Sequence, residues 1–245
     1  MGKKLEGKIA VVTGGTAGIG LGAAKRFADE GARVFVTGRR QDVLDTAVAE
    51  IGHNAVGIKA DASNLADIDR IYATMKETAG HIDVLMVNAG YYEFQTMGQI
   101  TEAHFANSFN TNVKGLLFVT QKALPLLADG ASVIFTGSIA SSVGIPNMSV
   151  YSATNTAVRS FARSWFLDLR GRGIRINVLS PGHIATPGLD GLLTADQQNG
   201  LIANIPLGRL GTADDMGKAA MFLASDDSAY VNGIELFADG GVSQY

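Results

Sequence analysis

Two rhythms of apolar residues alternate along the chain. Short, nearly continuous apolar runs occur at Ile9 to Val12, Arg33 to Thr37, Ala55 to Ala60, Ile82 to Val87, Ser132 to Thr136, Arg175 to Leu179 and Ile234 to Ala238. They are rich in β-branched residues and bounded by turn formers, as expected of strands buried on both faces of a parallel sheet. Between them apolar residues recur at helical spacing. Ile19, Ala23, Phe27 and Ala28 mark a first helix, and Leu44, Val48 and Ile51 a second over Gln41 to Ile51. Leu65, Ile68, Ile71, Tyr72 and Met75 mark a third, with Asp61, Ser63 or Asn64 as its cap. Phe105, Phe109, Val113, Leu116, Leu117, Val119 and Thr120 predict one long helix over about Thr101 to Leu127. A helix from Tyr151 to about Arg170 carries Val158, Phe161, Ala162, Trp165 and Leu169, and a last one covers about Ala213 to Leu223. Residues 183–206 are mixed in character and contain no lysine or arginine, so they read as a long substrate loop. Strand–helix alternation predicts an α/β fold: a Rossmann-type doubly wound parallel sheet of about seven strands, in one domain spanning 1–245.

Composition narrows the possibilities. The chain has 245 residues, 47% of them hydrophobic, enough for one sizeable core. The net charge is −3, so no nucleic-acid footprint is expected. There is no cysteine, which excludes disulfides, thiolate metal sites and cysteine nucleophiles. The four histidines contain no His-x-x-x-His pair, and no metal is expected. The start MGKKLEGK lacks the apolar core of a secretory signal, and no apolar run approaches the ~20 residues of a membrane span. A cytoplasmic location is the expectation.

The candidate chemistry sits where the two rhythms meet. After the first strand, Thr13 to Gly20 holds glycines at 14, 15, 18 and 20 and opens directly into a helix. Glycines permit close backbone approach, and a helix N-terminus offers free N–H groups to a phosphate. The alternative is a glycine-rich turn that binds nothing. The second strand ends in Gly38-Arg39-Arg40, with no acid at Phe35, Val36 or Thr37. An acid there would bind a ribose 2′-hydroxyl, whereas an arginine neutralises a 2′-phosphate, so NADP(H) is favoured over NAD(H). A solvated surface pair is the alternative. Asp61 ends the third strand, Asn88-Ala89-Gly90 the fourth and Gly137-Ser138 the fifth, all at the edge where open α/β sheets bind ligands. Asn112 interrupts an apolar helix and needs hydrogen-bond partners. Tyr151 and Asn155 share one helix face.

Taken together, these residues resemble the classical short-chain dehydrogenases/reductases over nearly the whole chain. The resemblance rests on Thr13-Gly14-x-x-x-Gly18-x-Gly20, Asn88-Ala89-Gly90, Asn112, Ser138, Tyr151, Pro181-Gly182, Thr186-Pro187 and Asp239-Gly240-Gly241. The Gly38-Arg39-Arg40 turn and the Gly-Ile-Glu-Leu-Phe ending look most like bacterial NADPH-dependent alcohol dehydrogenases that reduce ketones. The resemblance implies that Gly14, Thr16, Gly18, Ile19 and Gly20 hold the pyrophosphate and that Arg39 and Arg40 hold the 2′-phosphate. Asp61, Asn88, Ala89 and Gly90 would line the adenosine side, and Pro181, Gly182, Ile184 and Thr186 the nicotinamide. Ser138 would hydrogen-bond the substrate carbonyl, Tyr151 would give it a proton, and Asn112 would support a relay water. Ile139, Val143, Pro146, Met148, Tyr91, Phe94, Leu189, Leu192 and Leu193 would wall a pocket for a small hydrophobic ketone, aldehyde or alcohol. A homotetramer is implied as well.

One position departs from the family pattern of Tyr-x-x-x-Lys. Here it reads Tyr151-Ser152-Ala153-Thr154-Asn155. Asparagine keeps hydrogen bonds to a ribose but supplies no charge to lower the tyrosine pKa. Arg159, one turn on, and His183, after Pro181-Gly182, are the candidates to replace that charge. Two functions remain from the sequence: an impaired or unusual NADPH-dependent oxidoreductase, or a cofactor-binding protein with little catalysis. A nucleotide-sugar epimerase is disfavoured by the short C-terminal region.

Overall fold

A computed structural model describes residues 2–190 and 194–244. Its strands are β1 (Ile9–Thr13), β2 (Arg33–Gly38), β3 (Val56–Lys59), β4 (Ile82–Val87), β5 (Leu127–Thr136), β6 (Arg175–Pro181) and β7 (Glu235–Ala238). Its helices are α1 (Gly18–Asp29), α2 (Gln41–Ile51), α3 (Leu65–Thr78), α4 (Glu102–Phe109), α5 (Leu116–Ala123), α6 (Ser149–Asp168), α7 (Pro187–Asp190), α8 (Ala195–Ala203) and α9 (Ala213–Ala224). The strands form one sheet in the order β3-β2-β1-β4-β5-β6-β7, every pair parallel. The chain therefore builds outward from β1 to β3, then crosses back to lay β4 on the other side of β1. This reversal opens a crevice between the carboxyl ends of β1 and β4.

Alternation along each strand sorts the core into two layers. Ile9, Val11, Leu85, Val133 and Phe135 point to the face covered by α3, α5 and α6. Ala10, Val12, Val34, Val36, Met86 and Ile134 point to the face covered by α1, α2 and α9. With both faces buried the strands carry apolar residues at consecutive positions, as in Ile9–Val12 and Val84–Val87, which is why they read as nearly continuous runs.

The structure differs from the periodicity in two places. The helix expected over Thr101 to Leu127 is not continuous. It breaks into α4, a π turn over Asn110–Gly115, and α5, which ends at Ala123 ahead of Pro125. The extra residue in the π turn coincides with Asn112, whose side chain bonds the backbone of Tyr91 instead of facing solvent. The segment 183–206, read as a long loop, carries α7 and α8. Thr194 and Gln197 form a capping box that starts α8, a local signal outweighed in the sequence by weak amphipathicity.

Helix α1 lies against α9 with almost no separation. A Cβ added at Gly22 would sit 2.2 Å from the Ala213 carbonyl oxygen, and one at Gly217 would sit 2.7 Å from the Gly22 carbonyl oxygen. Gly22→Ala should therefore destabilise the protein by about 1 kcal/mol, from overpacking worth roughly 1–3 kcal/mol set against a helix-propensity gain of about 1. A fall in the urea unfolding midpoint checks this; a midpoint that rises would mean the helices separate freely.

Candidate active site

The glycine loop fills the crevice at the switch point. Gly14 and Gly18 take positive φ, +64° and +52°, which only glycine adopts without strain. A Cβ on Gly14 would lie 2.9 Å from Ala89 Cα, and one on Gly20 would lie 2.5 Å from Asn88 Nδ2. The loop is thus pressed onto the Asn88-Ala89-Gly90 turn. Helix α1 starts with Ala17 as its cap, with no side-chain cap and no acid in its first turn. Its leading N–H groups are left for an anion, so the cradle fits a dinucleotide pyrophosphate. Ile19 opens the helix beside Gly18 and Gly20.

Thr16 faces the end of β2, since a Cβ on Gly38 would meet Thr16 Cγ2 at 2.4 Å. Arg39 and Arg40 follow there, both exposed, and no carboxylate among the described residues pairs with either. Two free cations beside the cradle suit a 2′-phosphate. Asp61 does not cap α3: its Oδ1 accepts from the N–H and hydroxyl of Ser63, at 2.8 and 2.7 Å, and Asn64 makes the cap. Asn88 is spent on holding the crevice together. Its Nδ2 donates to the Gly14 carbonyl at 3.1 Å and its Oδ1 accepts from Thr136 at 3.1 Å.

On the other side, residues 183–186 hang from Gly211. Gly211 donates to the His183 carbonyl and Ala185 donates to the Gly211 carbonyl, and Ile184 pairs with Gly211 as a lone parallel bridge. In that pattern the N–H and C=O of Ile184 face away from Gly211, and neither has a partner among the described residues. A free donor and acceptor side by side match a carboxamide. Thr186 closes the cleft, 3.1 Å from where a Gly18 Cβ would stand, and Pro181 and Gly182 lead into this loop from β6.

Ser138 starts a 3₁₀ turn, and its Oγ accepts from the Ala140 N–H at 3.2 Å. The hydroxyl proton is left to donate elsewhere. Tyr151 sits in the first turn of α6. Burial pushes its phenol above the usual tyrosine range, and hydrogen bonds from Ser138 and Asn155 offset this only in part. Asn155 is itself buried, 5% exposed, and donates to the Tyr151 carbonyl at 2.9 Å. Asn112 has both amide protons committed, to Tyr91 O at 2.8 Å and Thr154 Oγ1 at 3.0 Å, while its Oδ1 accepts from Tyr91 N at 2.7 Å. Its side chain pins the turn after β4 to α6.

Neither candidate for the missing charge supplies it. Arg159 faces the Glu235 carboxylate at 2.9 Å. His183 is half-buried, and burial lowers its pKa below the ordinary 6.5, so it is neutral at pH 7. Among the pocket residues, Ile139 and Met148 are packed at 4% and 8% exposure beneath the site. Val143, Leu189 and Tyr91 are half-buried, Pro146 and Phe94 are exposed, and Leu192 and Leu193 lie outside the described residues. Sequence reasoning missed Tyr92. Its ring meets Tyr151 edge-on with centroids 6.1 Å apart, and its hydroxyl donates to the Gly188 carbonyl at 3.0 Å, linking the β4 turn to α7. Two adjacent tyrosines after Asn-Ala-Gly were the only hint.

Known proteins share this arrangement. The family described as Enoyl-(Acyl carrier protein) reductase matches residues 14–243. The chain is similar to Oxidoreductase asL5 of Sarocladium schorii, 45% identical over 99% of this chain and 98% of that one. It is similar to the NADP-dependent (R)-specific alcohol dehydrogenase of Lentilactobacillus kefiri, 35% identical over 98% of both. A solved short-chain dehydrogenase/reductase from Serratia marcescens BCRC 10948 superposes with a TM-score of 0.93 at 26% identity, covering 98% of this chain and 99% of that one.

Proposed function

The chain belongs to the short-chain dehydrogenases/reductases, and on that premise we propose that it is an NADP(H)-dependent reductase of small hydrophobic ketones and aldehydes, running also as an alcohol dehydrogenase. The observation that carries this reading is that α6, with Tyr151 in its first turn, packs on the 3₁₀ turn that Ser138 caps just after β5. When bound, NADPH supplies the hydride. Ser138 donates its free proton to the carbonyl oxygen and orients it. As the C=O π pair moves onto oxygen, Tyr151 gives up its phenolic proton to the developing alkoxide and takes one back from solvent. Asn155 bonds the Tyr151 carbonyl and keeps hydrogen-bonding capacity toward a ribose. Asn112 supports the site by fixing Tyr91 against α6. Ile139, Val143, Met148 and Leu189 give the substrate side an apolar character, suited to a hydrophobic carbonyl compound.

A second reading, a cytoplasmic cofactor-binding protein with little turnover, is favoured by the neutral amide of Asn155 where the family pattern has a lysine charge. NADPH oxidation with a panel of aryl and alkyl ketones, run beside an NADPH binding titration, separates the two. Turnover supports the reductase; tight binding without turnover supports the second.

Cofactor choice gives a further expected result. NADPH should bind roughly tenfold to a hundredfold more tightly than NADH, since a hydrogen bond to a charged group contributes about 1.5–3 kcal/mol. Arg39→Ala should remove most of that preference in a binding titration. Equal affinities in the unmodified protein would count against the role of Arg39.

The assembly is proposed as a homotetramer. An apolar groove of about 250 Å³ on the outer faces of α5 and α6 is lined by Leu117, Leu124, Phe161, Trp165 and Leu169. Phe161 and Trp165 stack there at 4.5 Å. A second interface would use β7, the sheet's edge strand, and the chain's end. Light scattering should report four chains at micromolar concentration; a monomer would contradict this.

A further inference from the structure

Glu235 is a buried carboxylate that the proposed chemistry does not use. It stands on β7, at the far edge of the sheet, with 3% of its side chain exposed. An ionised carboxylate so placed needs several partners. Its Oε1 accepts from Ser141 Oγ at 2.6 Å and from Ser180 Oγ at 2.7 Å. Its Oε2 lies 2.9 Å from Arg159 Nε, close enough to pair, although the N–H is not aimed at it. Each partner belongs to a different active-site element. Ser141 closes the 3₁₀ turn that Ser138 opens, and its backbone N–H donates to the Ser138 carbonyl at 3.0 Å. Ser180 immediately precedes Pro181-Gly182 and the loop that presents Ile184 and Thr186. Arg159 lies on α6, two turns beyond Tyr151. Room for this cluster is built into the backbone, because a Cβ on Gly137 would sit 2.6 Å from Ser180 Oγ.

Resting on the reductase reading, we infer that Glu235 is a positioning residue that sets Ser138 through Ser141 and the nicotinamide-side loop through Ser180. Ser141 is the arm toward the carbonyl. Its hydroxyl also lies 2.8 Å from the Ser138 carbonyl, so its single proton is shared between that oxygen and Glu235. Removing it frees the turn on which the Ser138 hydroxyl is aimed. Ser180 is the arm toward the cofactor, fully buried and, among the described residues, bonded through its side chain to Glu235 alone.

The two arms make the inference separable by experiment. Ser141→Ala should lower kcat for ketone reduction about tenfold, less than the roughly hundredfold that a 1 Å misplacement can cost, and leave the NADPH Kd unchanged. Ser141→Thr, which keeps the hydroxyl, should restore most of the rate. Ser180→Ala should weaken NADPH binding by about threefold or more, the order of one lost hydrogen bond. Glu235→Leu, which keeps the bulk and removes the acceptor of both serines, should show both effects. Because Ser141 acts through Ser138, the double variant Ser138→Ala/Ser141→Ala should be no slower than Ser138→Ala. Independent, multiplying effects of Ser138→Ala and Ser141→Ala would overturn the inference. So would a Glu235→Leu protein that only melts earlier while its kcat and NADPH Kd stay put. If Ser138→Ala itself leaves turnover intact, the reductase reading of Ser138 fails, and the NADPH titrations of Ser180→Ala and Glu235→Leu still decide the cofactor arm.

Discussion

Tyr151→Phe should abolish ketone-dependent NADPH oxidation, a loss of roughly 10²–10⁴ in kcat, the range expected for a general acid. The substitution removes one hydroxyl and leaves the ring that packs edge-on against Tyr92. Helix α6 should fold as before, because its contacts to Asn112 and Asn155 run through Thr154 and the Tyr151 carbonyl. NADPH affinity should stay close to that of the parent, which separates lost chemistry from lost binding. Turnover above a tenth of the parent value would remove Tyr151 from the mechanism.

Asn155→Lys should act in the opposite direction and raise turnover roughly tenfold or more, within the same general acid–base range. Among the described residues no cation acts on the present phenol, and burial holds its pKa above the usual value. An unperturbed tyrosine titrates near ~10, so about one molecule in a thousand is phenolate at pH 7, and burial lowers that fraction further. An ammonium one turn along α6 stabilises the phenolate, lowering the pKa at about 1.4 kcal/mol per unit. Reduction uses the neutral phenol and so is not extinguished in the present protein. Oxidation needs the phenolate, and its rate should rise with pH until the phenol titrates. The alkaline limb should therefore lie at higher pH in the present protein than in Asn155→Lys. Identical pH profiles for the two would mean that another group already carries the charge. His183 is neutral at pH 7 and Arg159 faces Glu235, so neither does so.

What could be seen in the sequence is what short-range spacing encodes. The strands were legible because both sheet faces are covered, and the glycine loop because its residues act within one βα turn. Ser138 and Tyr151 were recognisable as part of an ordered set of motifs, and the structure packs the turn that Ser138 caps against the helix that carries Tyr151. The break at Asn110–Gly115 was hidden, because an apolar stripe runs through it and only the bonds from Asn112 to Tyr91 reveal its purpose. Glu235 looked like an ordinary strand residue, since its partners are 94 and 55 residues away in the chain. Tyr92 was passed over because its role depends on Gly188, 96 residues on.

The backbone contact between Gly22 and the start of α9 has a consequence for modularity. The glycine loop proposed to hold the pyrophosphate lies in the first fifth of the chain, as though it were a portable nucleotide-binding cassette. Yet the tilt of α1, and with it the aim of its N–H groups, is fixed by Ala213 and Gly217, nearly two hundred residues later. A fragment ending at β6 would retain every glycine of the loop and lack the surface that holds α1 in place. On the proposed reading, nucleotide binding should therefore be coupled to the docking of α9 on α1.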